Sequence, residues 1–357
     1  MLTLEKRPFS IDAMIGQKMI RTDMKKRSKE RDFPEVMIFE GPSGTGKTTL
    51  ASIVAALIND SNSIDRGDFR DPNPESPSSQ DILRERFARD VHFYDASSMN
   101  KEEMLKLEGV VSAAPMFDRK KIIVIDEAQE LTNAGKGVAL RLLEKKRKNA
   151  HIILCTMDIS RFDSAVRSRG QNYKFRAPGS SEIAELLLEL IPEDQNIPEE
   201  FITQGVFAIA ESCGGSVREA VQYLERCLYS EAFTEQEIRE EFGFVSQKKL
   251  LELVHRLLDQ DVSVYPEIIG DGLKDFFFKA LRVLVDADAL RTTGHVDQEW
   301  KRESTQKISK HPTFDTLLTV FLENSREPFF RDVIFQSRLL QYFRKANPQK
   351  KTVRRRI

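Results

Sequence analysis

The chain has 357 residues, too long for one small core, so two or three domains are expected. Its 40% apolar residues fit a globular protein and its 31% charged residues fit extensive solvated helix surface. A formal net charge of -1 excludes nucleic-acid binding by bulk positive charge, so any DNA contact must come from local basic patches.

Cys155, Cys213 and Cys227 are odd in number and lack metal-ligand spacing, so they read as reduced thiols and not as a disulfide framework. Met1 to Arg7 contains no apolar leader core, and no run reaches the roughly 20 residues of a membrane span. The expectation is a soluble cytoplasmic protein with no membrane partner.

Residues 1–34 read as short helix and loop: Arg7-Pro8-Phe9, Met14-Ile15-Gly16-Gln17, then a charged helix through Lys29. The apolar run Val36-Met37-Ile38-Phe39 then leads into Glu40-Gly41-Pro42-Ser43-Gly44-Thr45-Gly46-Lys47-Thr48-Thr49, which opens onto Leu50 to Leu57. Strand, glycine-rich loop and helix in that order are what a phosphate-binding P-loop requires. The glycines let backbone N–H groups turn inward around a polyphosphate, and the helix N-terminus adds partial positive charge. Lys47 is placed to reach the β- and γ-phosphates, and the Thr48 hydroxyl to ligate Mg²⁺.

Asn59 to Ser79 is rich in Asp, Asn, Ser and Pro and reads as exposed loop or disorder. A strand is predicted over Val91 to Asp95 and a helix over Lys101 to Ser112. Lys121-Ile122-Ile123-Val124-Ile125-Asp126-Glu127-Ala128-Gln129 is a continuous apolar run ending in two carboxylates, as in a parallel strand buried on both faces. Carboxylates at the C-terminal end of such a strand lie where open α/β sheets bind ligands. This is a Walker B signature, with Asp126 holding Mg²⁺ and Glu127 polarising the water that attacks the γ-phosphate. His151 to Thr156 is another buried strand. Its terminal Thr156 either orients that water or is structural.

Arg167-Ser168-Arg169-Gly170-Gln171 precedes a predicted strand at Tyr173 to Phe175; by composition alone its arginines are solvated loop charge. From Pro178-Gly179 onward everything reads as helix: Glu182 to Leu190 capped by Ser180 or Ser181, Glu199 to Ser212, Val217 to Tyr229, and Glu235 to Glu241. These shifts divide the chain into an α/β domain (1–178), a helical domain (179–243) and an all-α domain (244–357). In the last, Leu250, Leu251, Val254, Leu257 and Leu258 share one helix face. Lys350 to Arg356 is a basic tail, either a solvated terminus or a phosphate or partner contact.

Together these residues resemble the AAA+ ATPases, and within them the clamp-loader subunits of the bacterial γ/τ and replication factor C small-subunit types, over about residues 5–245. Arg7-Pro8 followed by Ile15-Gly16-Gln17 is similar to the family's adenine-pocket signature. Gly41 to Thr48 differs from the usual P-loop of the family by Ser43, and Ile125-Asp126-Glu127-Ala128 fits its Walker B. Ser168-Arg169-Gly170 stands where clamp loaders carry Ser-Arg-Cys, so the resemblance implies that Arg169 is an arginine finger acting on a neighbouring subunit's ATP. Gly214 to Glu219 resembles the sensor-2 motif and implies that Arg218 contacts the γ-phosphate, while Thr156 falls at sensor 1.

The implied architecture is an AAA+ P-loop domain with a parallel sheet, a helical lid and a collar-type helical domain. The implied function is an ATPase subunit of a sliding-clamp loader in a replisome, with ATP and Mg²⁺ as cofactors. Other loader subunits in a ring of about five, the clamp and primer–template DNA are the implied partners. A bacterial or phage version would be nucleoid-associated. Another AAA+ DNA machine, such as a helicase loader or branch-migration motor, is the alternative. Bacterial γ/τ chains carry a four-cysteine zinc module after the P-loop helix. Here Asn59, Asn73, Ser76 and Ser79 stand at those positions, so no zinc is expected. Glu144 to Lys148 is more basic than the family pattern, as a solvated helix end or a contact to duplex phosphates.

Overall fold

A computed structural model of the chain describes residues 7–85, 90–99, 101–144, 149–192, 197–242, 247–268, 273–293, 302–325 and 332–346. Lys145 to Lys148, Gly243 and the basic tail lie outside the described residues. The described residues fall into two compact units, divided between Phe233 and Thr234.

The first unit is built on a five-stranded sheet of β1 (Val36–Glu40), β2 (Val91–Asp95), β3 (Lys121–Asp126), β4 (Ala150–Thr156) and β5 (Gln171–Lys174). The spatial order is β2-β3-β4-β1-β5 and every pairing is parallel. The first five residues of β3 and all seven of β4 are buried, as the uninterrupted apolar runs predict. Alternation along each strand divides the core in two. Phe39, Val124 and Ile153 join Met24 and Ile53 on one face, from α1 (Lys18–Glu30) and α2 (Lys47–Asn59). Ile38, Ile125 and Leu154 join Leu107 and Leu142 on the other, from α3 (Lys101–Ser112) and α4 (Asn133–Glu144).

The parallel registers bring strand ends level: Glu40 lies opposite Thr156, and Asp95 opposite Asp126. Because β1 sits between β4 and β5, its loop emerges at the point where strand order reverses. Ligands bind open α/β sheets there.

The segment after α2 is not the exposed loop its composition predicts. Asp60, Ser63, Phe69, Asp71, Ser76 and Ser79 are buried, and Ile82 and Leu83 join the α2 side of the core. The Asp60 carboxylate organises the segment. Its Oδ1 accepts from the Asn62 N–H (2.8 Å), and its Oδ2 accepts from the Asn73 N–H and the Ser79 hydroxyl (both 2.9 Å). Asn59 clamps Lys120, donating to its carbonyl and accepting from its N–H, each at 2.9 Å. The Ser76 N–H donates to the Asn73 carbonyl (3.1 Å). The positions compared with zinc ligands are thus hydrogen-bonding groups that tie the segment together. Polar composition misreads this segment because its polar groups are paired inside it instead of facing water.

Helices α5 (Ser180–Leu190), α6 (Val206–Ser212) and α7 (Val217–Ser230) complete the first unit. The cap of α5 differs from the expected serine. Ser180 is already helical, and the Glu182 carboxylate accepts from the Gly179 N–H (2.9 Å). In the second unit Leu250, Val254, Leu257 and Leu258 are buried among Phe276, Phe277, Phe321 and Phe335. Phe277 stacks on Phe321 with centroids 5.2 Å apart and meets Phe335 edge-on at 4.8 Å, so these aromatics form core. Among the described residues no helix is long and apolar enough to cross a membrane.

Asp60→Ala leaves three donors without their acceptor, two of them backbone N–H groups, and should destabilise the first unit by about 2–4 kcal/mol. Urea denaturation reads the loss, and limited proteolysis should open residues 61–79 first.

Candidate active site

A cavity of about 340 Å³ opens at the carboxyl edge of the sheet, walled by the loop before α2, the end of β3, the segment 7–15, and α5 and α7. The loop's shape depends on its glycines. Gly44 has φ 73° and Gly46 φ 94°, left-handed values that side chains rarely adopt. A Cβ on Gly44 would also stand 2.3 Å from the Ser216 hydroxyl oxygen. That close approach lets the Val217 N–H donate to the Gly44 carbonyl (3.1 Å) and docks the start of α7 on the loop.

Lys47 is buried, and its ammonium donates to the carbonyls of Gly41 (2.8 Å) and Pro42 (2.7 Å). Burial pushes the Lys47 pKa down and the nearby Arg218 adds to this, while Glu127 and Asp126 oppose it. Exposed Arg218 thus brings a second cation to the cavity that holds buried Lys47, which favours a polyanion. The Thr48 hydroxyl donates to Asp126 Oδ2 at 2.7 Å. Hydroxyl and carboxylate oxygens brought together beside a phosphate loop are hard donors and suit Mg²⁺.

Arg7, Pro8, Ser43, Gly44, Thr45, Gly46, Lys47, Thr48, Thr49, Asp126, Glu127 and Arg218 all line this one cavity. Gly41 and Pro42 support it from behind through Lys47. Ala13, Met14, Leu186, Leu190, Val217, Val221 and Gln222 also line it, and sequence reasoning did not single them out as site residues. The i, i+4 spacing of Leu186 with Leu190, and of Arg218 with Gln222, is the signal that places each pair on one helix face.

Thr156 and Arg169 are not part of the cavity wall. Thr156 is fully buried, and its hydroxyl donates to Gln129 Oε1 (3.0 Å). Arg169 is surface-exposed before β5, with Nη2 on Glu144 Oε1 (2.9 Å) and Nη1 donating to the Ala165 carbonyl. Gln129, the last residue of the Walker B run, lies in the turn Ala128–Glu130. It binds Glu127 through its amide nitrogen and the Met157 N–H through its amide oxygen.

Residues 16–179 match the family model described as DNA polymerase III, delta subunit. The chain is similar to Protein STICHEL-like 1 of Arabidopsis thaliana, 28% identical over 73% of this chain and 23% of that protein. It is 24% identical to DNA polymerase III subunit tau of Bacillus subtilis, over 75% of this chain and 47% of that one. It is 25% identical to the replication factor C small subunit of Sulfolobus acidocaldarius, over 71% of this chain and 70% of that one. The chain therefore spans less than half the length of the first two.

Gly170, where the resemblance expects cysteine, is set by packing. A Cβ there would stand 2.8 Å from Ile38 Cγ1 and 2.9 Å from Val36 Cγ1. Gly170→Cys should therefore destabilise the fold by about 1–3 kcal/mol through overpacking. Adding Ile38→Val, which removes the Cδ1 that would stand 2.9 Å from that Cβ and leaves the Cγ1 contact, should recover part of the loss, read as urea midpoints.

Proposed function

We propose that this chain, an AAA+ ATPase of the clamp-loader type, uses ATP binding and hydrolysis to load a sliding clamp onto primer–template DNA as one subunit of a ring. The observation that carries the reading is the single cavity joining Lys47, the Thr48–Asp126 pair, Glu127 and Arg218. The names of the similar replication proteins support the clamp-loading part of it.

Lys47 and Arg218 bind and orient the triphosphate, and the turned backbone of Gly44 to Thr48 surrounds it. Thr48 and Asp126 would hold Mg²⁺, whose charge would neutralise that of the phosphates. Glu127 polarises the attacking water. The apolar wall of Met14, Leu186, Leu190 and Val221 receives the base and excludes water around it. Arg169 acts in trans: its exposed position outside the cavity wall suits a cation that reaches the neighbouring subunit's phosphate, so hydrolysis depends on assembly.

The expected result is an ATPase rate that rises when both the clamp and primer–template DNA are added. An unchanged rate rejects clamp loading while leaving the nucleotide site intact. Arg169→Ala should lower turnover in the assembly by roughly 10³-fold, the scale of an arginine finger, with ATP affinity of the isolated chain within a few-fold. Loss of ATP binding by the isolated variant would instead assign Arg169 a role within its own chain.

A further inference from the structure

We propose that Gln129 is a positioning residue that ties the carboxylate of Glu127 to the end of β4 and, through it, to the phosphate loop. The proposal rests on the reading of Glu127 as the group that polarises the attacking water. Gln129 lies in the helical turn Ala128–Glu130 directly after β3 and is only 7% exposed. Both ends of its amide are used. Its Oε1 accepts from the Met157 N–H (2.9 Å) and from the Thr156 hydroxyl (3.0 Å), and its Nε2 donates to Glu127 Oε2. A backbone N–H can only donate, so Met157 fixes which end of the amide is oxygen, and the –NH₂ must face Glu127.

The far end of this link is anchored to the loop. The Thr156 carbonyl accepts from the Gly41 N–H (3.1 Å), and the Gly41 carbonyl accepts from the Lys47 ammonium (2.8 Å). Hydrogen bonds therefore run without a gap from Lys47 through Gly41, Thr156 and Gln129 to Glu127. Glu127 needs such a restraint. Its backbone is left-handed, φ 47°, a conformation that costs a non-glycine residue about 1–2 kcal/mol. With Oε2 held by Gln129, Oε1 remains to take a hydrogen bond from water. Buried Thr156 then acts on the reaction through Gln129 and not by touching the water itself.

Two substitutions separate positioning from mere packing. Gln129→Glu keeps an acceptor for Met157 and Thr156 but turns a carboxylate oxygen, with no donor, toward Glu127. Gln129→Leu removes both halves. Single-turnover ATP hydrolysis by the full chain in its assembly, with enzyme in excess, is measured alongside binding of a fluorescent ATP analogue. Both variants should slow hydrolysis roughly 10- to 100-fold, the scale of a misplaced catalytic group, with analogue affinity within about twofold. In a Glu127→Gln background, Gln129→Glu should produce no further loss, because the residue through which it acts is already disabled.

Wild-type hydrolysis by Gln129→Glu overturns the proposal, as does a loss that multiplies with that of Glu127→Gln. Weakened analogue binding by both variants also overturns it, in favour of a structural role. If Glu127→Gln alone hydrolyses ATP at the wild-type rate, the reading of Glu127 itself fails. An inactive Glu127→Gln beside an active Gln129→Glu rejects only the role given to Gln129.

Discussion

The hydrogen bond from Thr48 to Asp126 joins residues 78 positions apart and fixes the loop before α2 against the end of β3. It forms because the parallel registers bring the carboxyl ends of β1, β3 and β4 level, and because β1 lies between β4 and β5, where the strand order reverses. A phosphate loop at that edge meets a carboxylate at hydrogen-bond distance without a long connecting segment. The core on each face of the sheet, with β3 and β4 almost entirely buried, keeps those two strand ends from moving independently. The site's polar geometry is therefore an outcome of apolar packing several residues below it.

Much of this was legible in the residues because each signal pairs a local pattern with a local chemical need. An apolar run followed by glycines and Lys47 specifies strand, turn and helix start. Ile122 to Ile125 followed by Asp126 specifies a strand whose end carries charge. The helical period of α7 likewise gives its buried face, Ala220, Val221, Leu224 and Cys227. Periodicity separates an inner face from an outer one but does not say what the inner face meets. Val221 and Leu190 could therefore be read as apolar helix positions but not as cavity wall.

The segment after α2 and the role of Gln129 were hidden for a different reason. Asp60, Asn73 and Ser79 look like solvated loop residues because composition counts polar groups without asking whether they find one another. Once paired, a buried carboxylate with three donors replaces water and orders a segment that has few apolar side chains of its own. Gln129 poses the same difficulty over a longer span. Its meaning lies in Met157 and Thr156, which reach it only because β3 and β4 are neighbours. Side-chain amides have no spacing rule, so tertiary structure is needed to assign them.

The pairing of Arg169 with Glu144 bears on how a residue can be ordered in one chain and still act on another. Both side chains are substantially exposed, and such a pair stabilises a fold by only about 0–1 kcal/mol, because water and salt screen it. A guanidinium in that pair is held in a defined place yet can exchange its partner for a phosphate at little expense. A buried partner would have made the exchange costly, since the abandoned carboxylate would be left desolvated. Gly170, close against Val36 and Ile38, leaves the backbone beside the arginine little room, while the side chain is held by the exposed pair with Glu144 and by the Ala165 carbonyl. On the proposed reading, exchange of such surface contacts is what would let Arg169 act across a subunit boundary.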